Sequence, residues 1–236
     1  MLVDSHAHLE STDFAGDLEA VVERAREAGI AEILNVGYDA GSIEKTIALT
    51  ERFDEVHGAL GIHPHNAKDY DDALEERLKK HLLRKKVLAV GEIGLDYYRD
   101  LSPRETQREV FRRQIGIALY FGKPIVVHCR DAFDDVMRIL SEEGAGEAGG
   151  VFHAFSGGEE EARAVLDLGF RIGIGGPITY KKSRLPEVAR RLPSGALLTE
   201  TDAPYLPPVP YRGKRNEPDR KSTRLNSSHI TSSYAV

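Results

Sequence analysis

Pro124-Ile125-Val126-Val127-His128-Cys129-Arg130 is the stretch on which the fold turns. Its apolar part is β-branched, too short for a helix, and stops at a histidine. A continuous run of that kind suits a strand buried on both faces of a parallel sheet. Working outward from 124–128, seven similar runs stand at 2–5, 32–36, 56–60, 87–92, 150–153, 171–175 and 196–201. Their starts lie roughly 25–35 residues apart, the size of one βα unit. The segments between them are amphipathic. Residues 17–27 place Leu18, Val21, Val22 and Ala25 on one helical face, and 42–52 do the same with Ile43, Ile47 and Leu49. Ser102 reads as a cap and Pro103 as a first-turn proline for a helix carrying Val110, Phe111, Gln114, Ile115 and Ala118. Gly29, Gly122 and Gly169 sit where helices should stop. Eight alternating units predict a closed TIM-like (β/α)8 barrel, not an open sheet.

The chain has 236 residues, ample for one such barrel, with 41% hydrophobic and 30% charged residues. No apolar run is long enough to span a bilayer, and the first residues read as a strand, not a secretion signal. The single cysteine, Cys129, permits no intrachain disulfide, so a reducing cytoplasm is the expected compartment. A net charge of −6 argues against coating nucleic acid through bulk positive charge. Local cations can still reverse the field at a site. From residue 219 the text loses apolar period, and Asp219 to His229 resembles a translated sequencing adapter. The barrel is therefore expected to occupy 1–218, with 219–236 a non-native tail and the helix after the eighth strand missing.

The histidines carry the functional signal. Of nine, six (His6, His8, His63, His65, His128 and His153) fall at or just beyond the C-terminal ends of predicted strands. Those ends form the active-site face of such a barrel. His6 and His8 are two apart on a strand, so they point to the same side. Glu92 ends strand four, His128 strand five, His153 strand six, and Asp202 lies at the end of strand eight. Imidazole with carboxylate suits Zn, Mn or Fe, and Mg where carboxylates and water dominate. Cys129 should point the other way, as a small buried hydrophobe.

Asp4-Ser5-His6-Ala7-His8-Leu9, Gly61-Ile62-His63-Pro64-His65, Gly91-Glu92-Ile93-Gly94-Leu95-Asp96-Tyr97, His128-Cys129-Arg130, His153-Ala154-Phe155-Ser156-Gly157, Glu200-Thr201-Asp202-Ala203-Pro204-Tyr205-Leu206 and Arg215-Asn216-Glu217-Pro218 occur in that order. Together they resemble the TatD-type metal-dependent deoxyribonucleases of the amidohydrolase superfamily. The resemblance implies two divalent cations (Mg, Mn or Zn). His6, His8 and Asp202 would hold the first, His128 and His153 the second, with Glu92 bridging and His63 facing the substrate. It also implies exonuclease-like hydrolysis of DNA, and of RNA as a second substrate, with single-stranded ends as the partner; the hydropathy gives no membrane, and no obligate protein partner is expected. Two cations about 4 Å apart can share a hydroxide beside a phosphodiester. Asp202 would accept the proton of the attacking water, and His63 would donate one to the leaving oxygen.

Arg130, Lys181, Lys182, Arg212, Lys214 and Arg215 lie near the predicted mouth and suit phosphate oxygens. Tyr98, Tyr205 and Tyr211 are candidates for stacking on bases, Tyr97 for wall packing, and Asp96 for orienting a ligand. The same scaffold also serves deacylases, including D-aminoacyl-tRNA deacylase, and amidases, so fold and ligands alone leave the substrate open. A bridging lysine would favour amidase-like relatives, but the position holds Glu92. A barrel whose metals are only structural is the non-enzymatic alternative.

Overall fold

The computed structural model describes residues 2–193 and 195–220. Eight parallel strands form one sheet in sequence order: β1 (Leu2–Ala7), β2 (Ile30–Gly37), β3 (Val56–Leu60), β4 (Val87–Asp96), β5 (Ile125–Arg130), β6 (Gly150–Phe152), β7 (Phe170–Ile174) and β8 (Leu197–Thr199). The bridge between Ala7 and Ala203 joins the first strand to the segment after the last, so the sheet curls into a nearly closed barrel. Helices α1 (Leu18–Glu27), α2 (Ala40–Arg52), α3 (Asp72–Leu82), α4 (Arg104–Phe121), α5 (Phe133–Glu142), α6 (Glu159–Asp167) and α7 (Leu185–Arg191) alternate with the strands. This is the (β/α)8 order expected from the apolar runs. No helix among the described residues is long and apolar enough to cross a membrane.

Burial explains why these segments take these forms. Every residue of β4 but Leu88 is buried, as a strand covered on both faces requires. β4 continues past Glu92 to Asp96 because Leu95 and Asp96 keep their register with Cys129 and Arg130 of β5. The largest core cluster lies where helices cover the sheet, with Phe111 and Ile115 of α4, Leu78 of α3 and Val136 of α5 packed against Leu95, Val127 and Phe170. A smaller cluster seats α1 and Phe14 near Ile33 and Val56. Val36, Ala59, Ala89, Val126 and Val151 form a third cluster. Val126 and Val151 stand two residues before His128 and His153, and Ala59 four before His63. Val126 and His128, both on β5, share a strand face, and the cluster floors the barrel mouth.

Two local expectations resolve differently. Gly122 ends α4 in the left-handed conformation, as its position predicts. Ser102 does not cap that helix. Pro103 takes the N-cap position with no side-chain cap, while the Ser102 hydroxyl donates to the His65 carbonyl at 2.9 Å and accepts the Lys68 N–H at 3.2 Å. The serine thus ties the loop after β3 to the loop after β4.

Gly94 shows how tightly β4 and β5 approach. Its φ is 145°, and a Cβ there would run into the His128 carbonyl oxygen. Gly94→Ala combines backbone strain with overpacking and is expected to cost about 2–5 kcal/mol. The urea unfolding midpoint reads this directly. A midpoint equal to that of the wild type would mean that the two strands can separate freely.

Candidate metal centre

β1 and the segment after β8 are zipped together beside the candidate ligands. The His8 N–H donates to the Ala203 carbonyl at 2.7 Å, and the Asp202 N–H donates to the His6 carbonyl at 2.8 Å. His6 Nε2 and His8 Nε2 consequently lie 3.1 Å apart. Asp202 Oδ1 is 3.9 Å from the first and 3.6 Å from the second. Asp202 has a φ of 57°, rare for a side-chain-bearing residue and characteristic of functional sites.

Glu92 stands at the centre. Its Oε2 is 3.6 Å from His6 Nε2. Its Oε1 is 2.6 Å from His128 Nδ1, 3.5 Å from His153 Nε2 and 3.7 Å from His63 Nε2. The rings of His6 and His153 stack at 3.7 Å between centroids. Three convergent sets of donors result: His6, His8 and Glu92; His6, His153 and Asp202; and His63, Glu92 and His128. All six predicted ligands are therefore gathered in one place, and His63, 3.7 Å from Glu92, stands beside them. The grouping differs from the implied one in setting His153 beside His6 and Asp202.

The donor chemistry fits a cation. Separations of 3.1–3.9 Å are those of atoms sharing a centre about 2.1 Å away. Glu92 is 4% exposed and Asp202 7%, and among the described residues no lysine or arginine pairs with either. Buried carboxylates need a positive partner. His8 Nδ1–H donates to the Val36 carbonyl at 3.0 Å, which leaves the Nε2 lone pair for ligation. His63 is wired oppositely. Its Nδ1 accepts the His65 N–H at 3.1 Å, so its proton sits on Nε2 and points into the site.

Electrostatics divides the histidines. Burial pushes His6 and His63 well below their ordinary pKa, so both stay neutral. Burial also opposes charge on His8, yet Asp202 and Glu10 outweigh it and raise that pKa well above the ordinary value. His153 is pushed up to about 10: burial works against the charged ring, but Glu92 and Glu200 prevail. For Glu92, burial raises the pKa, and His153, His63 and His128 bring it well below the usual range. The site's carboxylates thus hold positive charge on neighbouring rings, the charge that a cation would replace.

Several supporting residues escaped the sequence reading. Asp4 accepts the Thr201 N–H at 2.7 Å and the Thr201 hydroxyl at 2.5 Å, fixing the residue before Asp202. Asn35 accepts the Leu9 N–H at 2.6 Å and donates to Glu10 and Thr46. Glu200 accepts the Ala154 N–H at 2.6 Å beside His153. Asp4 and Glu200 stand inside quoted motifs, two residues before His6 and Asp202, and that was the available signal; Asn35 gave none. Asp96, a candidate for orienting a ligand or binding substrate, has Oδ2 2.8 Å from His65 Nε2 and 3.2 Å from His128 Nε2.

The predicted phosphate contacts separate into two groups. Lys181, Lys182 and Arg212 line a common cavity with His153. Arg130 is exposed and lies over the Tyr98 ring at 3.9 Å. Arg215 is different: its guanidinium is taken by Asp17, Glu217 and the Asp13 carbonyl, so its donors serve the fold. Tyr97 packs in the wall, its hydroxyl donating to Asp135 at 2.6 Å, whereas Tyr205 is half exposed and edge-on to His8. Tyr211 lies under Arg220. Cys129 is only half-buried, not fully as expected, and burial pushes its thiol up to about 12. Of the predicted tail, Asp219 and Arg220 continue a 3-10 turn that starts at Pro218, and 221–236, including His229, lie outside the described residues.

Comparison with known proteins shows the family and the fold. A family model described as TatD related DNase matches residues 3–226. The chain is 44% identical over 219 residues to the metal-dependent hydrolase YabD of Bacillus subtilis, covering 92% of this chain and 86% of that protein. It is 35% identical over 224 residues to the 3'-5' ssDNA/RNA exonuclease TatD of Pantoea ananatis, with 92% and 86% covered. The crystal structure of the TatD homologue YjjV of Escherichia coli superposes with a TM-score of 0.89 at 34% identity, covering 95% of this chain and 87% of that one.

Proposed function

The chain belongs to the TatD-related DNase family and is a metal-dependent hydrolase, and from that premise we propose that it is an exonuclease-type phosphodiesterase acting on single-stranded ends of DNA. The observation that carries this reading is the juxtaposition at His153. One side of that ring faces Glu92 in the buried donor cluster, and the residue also lines a cavity bearing Lys181, Lys182 and Arg212. A centre of hydrolytic chemistry thus opens onto cationic side chains suited to phosphate oxygens.

His6, His8 and Asp202 would hold one divalent cation and His128 and His153 a second, with Glu92 between them. Mg, Mn or Zn would supply positive charge against the developing phosphoryl charge and acidify water. The remaining work falls to the chain. Asp202 Oδ1, within 3.9 Å of both His6 and His8, accepts the proton of the attacking water. Asp96 orients His128 through Nε2. His63, neutral and carrying its proton on Nε2, donates toward the leaving oxygen. The pairing of a glutamate with histidines, in place of a bridging lysine, also speaks for phosphoryl over amide substrates.

An end-labelled single-stranded DNA oligonucleotide, incubated with Mn²⁺ or Mg²⁺, tests the proposal. A ladder is expected that vanishes in EDTA and in His128→Ala and Asp202→Ala. The label position reads the polarity. A folded, metal-loaded protein that leaves the strand intact would refute DNA as the substrate.

A further inference from the structure

The cavity that reaches His153 measures about 1070 Å³, at the upper limit of the range, about 300–1,000 Å³, that holds a single small molecule. It is lined by loops after β5, β6 and β7 and by Arg212 beyond β8. Its charges are sorted by side. Lys181, Lys182, Arg184 and Arg212 lie in the loops after β7 and β8, and Glu161 of α6 lies between the sides with its carboxylate accepting the Gly158 N–H. Asp131 and Asp134 stand in the loop after β5 and at the start of α5.

Neither set is neutralised. Around the cavity, ion pairs are common: Glu159 binds both Arg163 and Arg191, and Asp135 binds Arg138 and Arg108. Among the described residues, the two cavity aspartates, the two lysines and Arg212 have no ion-pair partner, although opposite charges line one space. The basic side is also held in shape. The Arg212 guanidinium lies 4.3 Å from the Tyr180 ring centroid, and the Tyr180 hydroxyl donates to the Pro207 carbonyl at 3.0 Å, joining the loops after β7 and β8. The cavity therefore asks for a ligand with anionic groups along one edge and hydrogen-bond donors along the other.

Resting on the phosphodiester reading, we infer that this cavity seats the nucleotide next to the scissile linkage, with its sugar-phosphate chain against Lys181, Lys182 and Arg212 and its base toward Asp131 and Asp134. Carboxylates accept hydrogen bonds from the amino groups of cytosine, adenine and guanine. Thymine carries no amino group, and its single N3–H donor lies between two carbonyl oxygens that a carboxylate repels. The cavity is thus a base filter favouring amino-bearing bases over thymine.

Fluorescence anisotropy of labelled dC6, dA6 and dT6, with the full chain in EDTA so that no strand is cut, tests this directly. The first two are expected to bind about five-fold tighter than dT6. Asp131→Asn with Asp134→Asn should bring dC6 and dT6 within two-fold. Lys181→Ala with Lys182→Ala should weaken all three and reduce the log–log salt slope by about 1.4, two phosphate contacts at about 0.7 each. Equal affinity for dC6 and dT6 in the wild type, no binding, or indifference to the lysine changes would overturn the inference. The cleavage assay decides the other question. A chain that discriminates bases but cuts no DNA keeps the cavity and loses the nuclease reading. One that cuts without discriminating does the reverse.

Discussion

Glu92→Gln is expected to lower turnover by about 1,000-fold or more. The substitution keeps side-chain volume and removes one charge from the point where the site converges. His6, His63, His128 and His153 all lie within 3.7 Å of a Glu92 oxygen. An amide offers one oxygen and turns its other end into a donor, which repels the imidazolium protons now held there and cannot ligate a cation. Metal content should fall together with turnover, while far-UV circular dichroism stays unchanged. Metal per chain by plasma mass spectrometry, alongside the oligonucleotide assay, measures both. A variant that keeps its metal and works within ten-fold of wild type would remove Glu92 from the centre of the chemistry.

Chelation should lower the melting temperature by about 5–10 °C and leave the barrel folded. A cation at 100 times its Kd contributes about 2.7 kcal/mol by linkage. In a domain of this size each kcal/mol is worth about 2–4 °C. The barrel does not depend on that contribution for its existence. Its main core lies between sheet and helices, and a separate apolar layer, Val36, Ala59, Ala89, Val126 and Val151, floors the mouth. Calorimetry with and without EDTA decides the matter. Complete loss of cooperative unfolding in EDTA, together with inert behaviour toward DNA, would make the metals structural.

What could be read from the sequence follows from what local pattern encodes. Each strand was visible because burial on both faces leaves a short apolar run, as at 124–128. The candidate ligands were visible because each ends such a run: Glu92, His128 and His153 need no partner to be noticed. Residues that act by pairing across the fold were hidden. Asp4 looks like any polar residue of a first strand until Thr201 stands 2.7 Å away. Arg215 looks like a phosphate contact until Asp17 and Glu217 take its guanidinium. Ser102 followed by proline is a sound helix-start signal, yet the hydroxyl gains more by joining two loops. The sorting of free charges in the cavity was half visible, since Lys181, Lys182 and Arg212 were noticed and Asp131 and Asp134 were not.

The seam between β1 and the end of β8 has a consequence in time. His6 and His8 emerge from the ribosome at the start of synthesis, and Asp202 near the end of the barrel. The contacts that bring them together, such as Ser5 to Thr199 and Asp4 to Thr201, span 194 and 197 residues. Closing so long a loop is slow and comes late in folding. During translation at about 5–20 residues per second, a nascent chain carries the early histidines for about 10 seconds or more before their aspartate partner exists. A chain built this way keeps its early histidines and its late aspartate apart while it is being made. The buried donor set converges only on completion of the barrel, so a cation has no gathered site to enter before the last strand is in place.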